Sequence, residues 1–367
     1  LGLTFNNFST RNILNTEAWR PLPTGDGQRL SLRAQTFGRG YISYSVSFME
    51  PWLGGKRPNA LSVSVFQTTH RRDVPKSDTI NFGYYSIIGA SVSLAQRLRV
   101  PDDFFFLRQS VNFQRYEILN SPIPFIIERG NSNNLSYGIE FGRNSIDAPL
   151  FPRSGSEVLL GLQLTPPFSL FTGRDYSQMP ADQKYQWLEY HKWRFNTSWY
   201  TSLVGDLILS VRTRMGFLGY FNPDIGLSPF ERFYLGGDGM TGFQMDGREV
   251  IAMRGYANFS LTPMDATGRE IGASVFNRFI TEVRFPVSLN PNATIYALAF
   301  AEAGNAWGRM RDYNPFEVKR SAGFGVRIFL PMFGLLGLDW GYGFDEIPGR
   351  PGDNEGRFHF SMGQTID

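Results

Sequence analysis

Period two dominates the chain. In "SYSVSFMEPW", Tyr44, Val46 and Phe48 share one parity and Ser43, Ser45 and Ser47 the other. "ALSVSVFQ" sets Leu61, Val63 and Val65 against Ser62 and Ser64. "DLILSVRTRMGF" opposes Leu207, Leu209, Val211 and Met215 to Ser210, Arg212 and Arg214. "SAGFGVRIFLP" does the same with Phe324, Val326 and Ile328 against Gly323, Gly325 and Arg327. Successive side chains of a strand point to opposite faces, so this alternation predicts strands with one apolar and one polar face. Fifteen such runs are readable, at about 1–8, 28–37, 41–52, 60–70, 80–98, 103–118, 133–144, 155–165, 190–203, 206–218, 273–287, 293–303, 320–330, 334–344 and 356–366. No segment carries the helical period over a domain-sized length.

The polar faces decide between architectures. A soluble sandwich hides its apolar face, whereas an outer-membrane barrel turns that face to lipid and keeps a polar interior. Arg212 and Arg214 would be costly in a dry core, since buried charge without partners is heavily penalised. Facing water they cost little. The runs hold about ten residues, the length that crosses a bilayer when tilted. The expected fold is therefore all-β, a transmembrane antiparallel β-barrel occupying 1–367.

Connections separate into two kinds. "LRVPDD", "LVGD", "PVSLNPN" and "LPMFG" are short, while 71–79, 119–132, 166–189, 219–272, 304–319 and 345–355 are long. Short turns at one end and long loops at the other match the periplasmic and extracellular ends of a bacterial barrel. Residues 9–27 are the exception, a long connection on the short side. Single-chain bacterial barrels have even strand numbers, so sixteen strands are expected with about fifteen in this chain. The first strand is expected upstream of Leu1.

Composition narrows the class further. The 367 residues include 39 glycines, 15% aromatics and no cysteine. No apolar run of about 18 residues exists, so transmembrane helices are not expected. The net charge of +3 comes from scattered rather than clustered basic residues, which gives no nucleic-acid footprint. His70, His191 and His359 lie far apart without ligand spacing, and no catalytic triad, P-loop or nucleophile elbow is present. "GGDG" lacks the strand–loop–helix context of a phosphate site. The expectation is a non-enzyme without metal or cofactor.

Six segments, in order, carry a family resemblance: "SYSVSFMEPWLGG", "NSIDAPLFPRSGSEV", "ERFYLGGDG", "MRGYANFSLTP", "FAEAGNAWG" and "RFHFSMGQ". They resemble the barrel of the BamA-type outer-membrane insertases, most of all the Bacteroidetes type. The wider superfamily includes the mitochondrial sorting-machinery channel and the two-partner secretion transporters. The resemblance implies periplasmic POTRA repeats upstream and a location in the bacterial outer membrane. It implies unfolded outer-membrane proteins as clients, accessory lipoprotein subunits, and contact with lipid and lipopolysaccharide. A secretion transporter of the same superfamily and a passive porin are the other readings. Five upstream repeats would favour the insertase, two the transporter and none the porin.

The resemblance also implies the site residues. In the family the loop in the position of 219–272 folds back into the lumen, and its Arg-Gly-aromatic tip docks on the inner wall. Arg254, Gly255 and Tyr256 match that tip. In many relatives the arginine follows the Gly-Gly pair closely, a position held here by Thr241, so "MTGF" is an alternative docking segment. A lumenal arginine needs an acidic partner, because its guanidinium never discharges. Glu302 matches the family's acidic position, with Asp339 and Glu282 as runners-up. Yet Glu302 shares the parity of Tyr296, Leu298 and Phe300, so either the parity shifts there or Tyr296 faces inward. Reversing the charges of both Arg254 and its partner is expected to recover more function than either single change. The closing run, with Phe358, Phe360, Met362 and Gly363, resembles the C-terminal signal of outer-membrane barrels and would form the lateral seam.

Overall fold

The computed structural model describes all residues except 39, 56, 73–81, 121–126, 128, 240–247, 291, 332–333 and 363–367. In chain order the strands are β1 (Gly2–Phe8), β2 (Gln28–Phe37), β3 (Tyr41–Glu50), β4 (Ala60–Arg71), β5 (Tyr84–Arg97), β6 (Phe105–Leu119), β7 (Arg129–Asn144) and β8 (Gly155–Leu164). Then come β9 (His191–Val204), β10 (Leu207–Gly219), β11 (Phe233–Leu235), β12 (Glu249–Ile251), β13 (Val275–Asn290), β14 (Ala293–Trp307), β15 (Lys319–Leu330), β16 (Gly334–Gly343) and β17 (Arg357–Met362). The fifteen longer strands coincide with the fifteen predicted runs. β5 begins four residues after its predicted start, β7 begins four residues before its own, and β14 ends four residues beyond its predicted end. β11 and β12 were not predicted.

The chain packs as two units. The first holds Leu1–Phe141, Gly161–His191 and Tyr220–Pro229. In it β1 to β6 pair antiparallel in chain order, and β7 lies beside β6. The connection 9–27 is tied down rather than loose: Ser9 N donates to Pro23 O, and Ser9 Oγ donates to Asp26 at 2.6 Å. The second unit holds Gly142–Leu160, Lys192–Gly219 and Phe230–Asp367. Here β10 pairs with β13, and β13 to β17 follow in antiparallel order.

Both units show the two-faced strands that the alternation predicts. In the first, Tyr44, Val46, Val65 and Ile88 are exposed, while Ser43 and Thr68 are buried. The polar face is stitched by hydroxyl pairs directly across strands, Ser43 to Thr68 at 2.9 Å and Ser64 to Ser91 at 2.7 Å. Such pairs satisfy groups that would otherwise need water. In the second unit Phe324, Val326, Phe358 and Phe360 are exposed, and Ser210, Arg212, Arg327, His359 and Ser361 are buried. A large apolar residue on the outside and a charge on the inside inverts the soluble pattern. Introducing Val65→Arg is therefore expected to cost about 2–4 kcal/mol near the bilayer midplane, whereas Ser64→Arg, on the other face, should be tolerated. Urea unfolding in lipid vesicles measures both; equal effects would mean the faces are assigned wrongly.

β14 resolves the parity conflict at Glu302. Thr294, Tyr296, Leu298, Phe300 and Glu302 are all buried, and Ala299 and Ala301 between them are exposed. The parity does not shift; the aromatic residues face inward with the glutamate, and alanines cover the outer face.

Candidate functional site

Residues 220–274 join β10 to β13 and hold two short strands of their own. β11 and β12 form a small parallel pair, with Phe233 opposite Glu249 and Leu235 opposite Ile251. This pair is clamped to β9. Arg194 grips Glu249 with Nε at 3.0 Å and Nη2 at 2.6 Å. The buried Lys192 ammonium bridges Glu249 at 2.9 Å and Glu231 at 3.2 Å, and lies 4.7 Å from the Phe233 ring centroid. Burial would raise the Glu249 pKa, but Lys192 and Arg194 overcome it and hold the carboxyl at about 2 instead of 4.5. A depressed carboxyl pKa contributes stability above its unfolded value and loses it as pH falls through the folded one. The clamp is thus expected to hold above pH 4.5 and to release as pH drops from 4.5 towards about 2. Amide exchange at residues 249–252 reads this out, and Glu249→Gln should abolish the acid-dependent step.

From β12 the chain runs to the tip, Arg254-Gly255-Tyr256, all three buried or nearly so. The Arg254 guanidinium meets three carboxylates from three strands. Its Nε donates to Glu302 on β14 at 2.5 Å, Nη2 to Glu282 on β13 at 2.6 Å, and Nη1 to Asp339 on β16 at 3.4 Å. The guanidinium carbon sits 3.6 Å from the centroid of the Phe300 ring, a cation–π arrangement strengthened by the burial of both groups. Burial alone would lower the Arg254 pKa, but Glu302, Glu282 and Asp339 raise it above the ordinary value. The side chain stays charged.

The same acids are shared with the wall's own arginines. Glu282 also accepts from Arg212 at 2.7 Å and Arg284 at 2.6 Å. Glu302 accepts from Arg278 at 3.0 Å, and Asp339 takes a two-pronged contact from Arg327 with both distances 2.9 Å. Arg254 therefore closes a network rather than forming one pair. Gly255 N donates to His359 Nε2 on β17 at 2.9 Å, which fixes the ring proton on Nδ1. The Tyr256 hydroxyl donates to Arg320 O at 2.8 Å, and burial lifts its pKa from 10.0 to about 12. The three residues of the tip are thus tied to the five strands from β13 to β17.

Close approach depends on glycine at the contact. Gly255 has φ +85°, and a Cβ there would lie 2.9 Å from Ser321 Cβ and from Tyr342 C. The facing Gly341 would place a Cβ 2.7 Å from Gly255 N. Backbone meets backbone here.

The residues read from the sequence are brought together in part. Arg254, Gly255, Tyr256 and Glu302 converge, and the runners-up Glu282 and Asp339 join them on the same guanidinium. Thr241 and the rest of "MTGF" lie outside the described residues, as does Gly363. Phe358, Phe360 and Met362 stand on the exposed face of β17, 73%, 51% and 46% exposed, remote from the inward network. Sequence reasoning missed Arg278 and the role of His359. "NRFITEVRF" held a signal for the first: Arg278, Glu282 and Arg284 share one parity, placing charges of both signs on one strand face.

A model of the Omp85 superfamily domain matches residues 24–366. The chain belongs to the Omp85 superfamily. Its fold is that of solved outer-membrane barrels of this kind. BamA from Haemophilus ducreyi lacking POTRA domains 1–3 superposes with a TM-score of 0.66 at 17% identity, over 98% of this chain and 65% of that one. CdiB from Escherichia coli gives 0.54 at 12%, over 98% and 57%, and CdiB from Acinetobacter baumannii 0.51 at 12%, over 91% and 53%. The chain spans about half to two-thirds of the length of these structures. No curated protein matches the sequence. At such identities the likeness concerns the transmembrane antiparallel β-barrel fold. Superfamily members work with partners in outer-membrane assembly or secretion.

Proposed function

We propose that this chain is the barrel of an insertase that folds other β-barrel proteins into the bacterial outer membrane, through a seam between its first and last strands. The observation that carries this reading is the reach of the docked tip. From one loop it binds β13, β14 and β16 through Arg254 and β17 through Gly255. A wall braced up to its final strand holds that strand's free backbone edge in a fixed geometry. Such an edge templates a client strand, and in lipid the client's own polar backbone is satisfied only by pairing. Mismatch at the seam would thin the adjacent bilayer and ease entry. No cofactor or nucleotide is needed. Clients are unfolded outer-membrane proteins, with lipoprotein subunits, lipid and lipopolysaccharide as further partners, and residues 219–272 as the extracellular loop that plugs the lumen. A passive porin would gain nothing from a loop filling its interior.

The test is reconstitution of the full-length protein and its accessory subunits in vesicles, with an unfolded eight-stranded barrel as client. Folding, read as a heat-modifiable gel band, should accelerate, and Phe358→Cys should crosslink to a cysteine in the client's last strand. No acceleration, combined with export of one cognate protein, would replace this reading with the secretion transporter.

A further inference from the structure

The connection between β8 and β9 builds a chamber of its own, independent of the docked tip. Two short helices, α1 (Phe168–Thr172) and α2 (Ala181–Lys184), help to enclose a cavity of about 380 Å3. This lies within the roughly 300–1,000 Å3 of small-ligand sites. All of its lining comes from residues 168–189.

The chamber is braced. Leu188 N donates to Asn133 O on β7 at 2.9 Å, and Asn133 N returns a bond to Gln186 O at 2.8 Å. The buried Glu189 accepts from Ser169 N and from Ser169 Oγ. Asn222 Nδ2 reaches the same Ser169 hydroxyl at 3.2 Å, and Tyr185 OH donates to Ile225 O at 3.1 Å. A site held this way loses little freedom on binding.

Its chemistry is specific. Trp187, 38% exposed, packs on Phe168 at 4.7 Å between ring centroids and lines the cavity. Arg174 and Lys184 also line it, and among the described residues neither has a carboxylate within salt-bridge range. Glu189 also lines the cavity, its carboxylate held by Ser169 N and Oγ, and the neighbouring Asp175 accepts from Ser177 N and Oγ at 2.9 and 2.7 Å. Gln183 and Gln186 add amides at the wall. An aromatic face suits the C–H side of a sugar ring, amides suit hydroxyls, and two free cations suit a carboxylate or phosphate.

We propose that this chamber binds an acidic saccharide, with a sugar ring against Trp187 and its anionic group between Arg174 and Lys184. Such a group is carried both by outer-leaflet glycolipid and by free acidic polysaccharide. Calorimetry on the full-length protein in detergent separates them, using trigalacturonic acid, core oligosaccharide released from lipopolysaccharide, neutral maltotriose and inorganic phosphate. At least one acidic saccharide should bind, with maltotriose and phosphate each at least about tenfold weaker. Binding of the core oligosaccharide alone assigns the glycolipid, and equal binding of both acidic probes assigns the shared chemistry. R174Q/K184Q and W187L should each weaken binding at least about tenfold while the heat-modifiable band of the folded protein is kept. The proposal is overturned if no acidic saccharide binds, if maltotriose or phosphate binds as tightly, or if the folded variants bind unchanged.

Discussion

Glu302→Gln is expected to destabilise the second unit more than Arg254→Ala does, although the two residues form one ion pair. Removing Arg254 leaves no carboxylate without a cation: Glu282 keeps Arg212 and Arg284, Glu302 keeps Arg278, and Asp339 keeps Arg327. The loss is the tip's own anchor and its contact with Phe300, roughly 2 kcal/mol for a desolvated cation–π pair. Removing the Glu302 charge instead takes from the fully buried Arg278 the carboxylate it donates to, and weakens Arg254 as well. Breaking a buried pair in that way costs about 3–5 kcal/mol. Urea titration of purified variants in detergent measures both. A larger loss for Arg254→Ala would show that the tip, and not the wall, holds the network together.

The same geometry reverses the expectation that swapping both charges rescues function. Arg254→Glu would set a new carboxylate beside Glu282 and Asp339, which the present guanidinium meets at 2.6 and 3.4 Å. Glu302→Arg would set a new cation beside Arg278. The swap replaces attraction with repulsion on both sides. It should therefore perform no better than the worse single variant.

What the sequence displayed was the part set by local chemistry. Alternation of Val46 with Ser45 and of Phe324 with Gly323 needs only the strand's period of two, so faces and strand positions were readable. The partner of Arg254 was not readable as a single residue, because a guanidinium spreads its donors over three strands distant in the chain. The parity conflict at Glu302 exists only if the inner face is wholly polar. Tyr296 and Phe300 belong on that face because part of it is covered by protein: Arg254 lies over Phe300, and Arg284 lies 5.7 Å from the Tyr296 ring. β11 and β12, three residues each, are too short to carry a period and exist through their parallel pairing and the clamp on β9.

Gly255→Val is expected to undock the tip altogether, a larger functional loss than any single charge removal. Two costs coincide at this position. A β-branched residue at φ +85° is strained by about 1–3 kcal/mol. Its Cβ would also sit 2.9 Å from Ser321 Cβ and Tyr342 C and 3.0 Å from Gly343 N, where backbone on a sheet strand cannot yield. Neither cost falls on the strands if the tip withdraws, so withdrawal is the relaxed outcome. It would carry Arg254 away from its three acids and break the bond from Gly255 N to His359. Gly341→Ala approaches the same contact from the wall, its Cβ 2.7 Å from Gly255 N, with no positive-φ strain of its own. It should therefore undock the tip less completely and separate steric conflict from backbone strain. Amide exchange at residues 253–257 is the measurement: fast exchange in Gly255→Val, intermediate in Gly341→Ala, with the strand amides of β14 and β15 still protected. Protection at the tip equal to the parent in both variants would mean that the contact does not hold the loop.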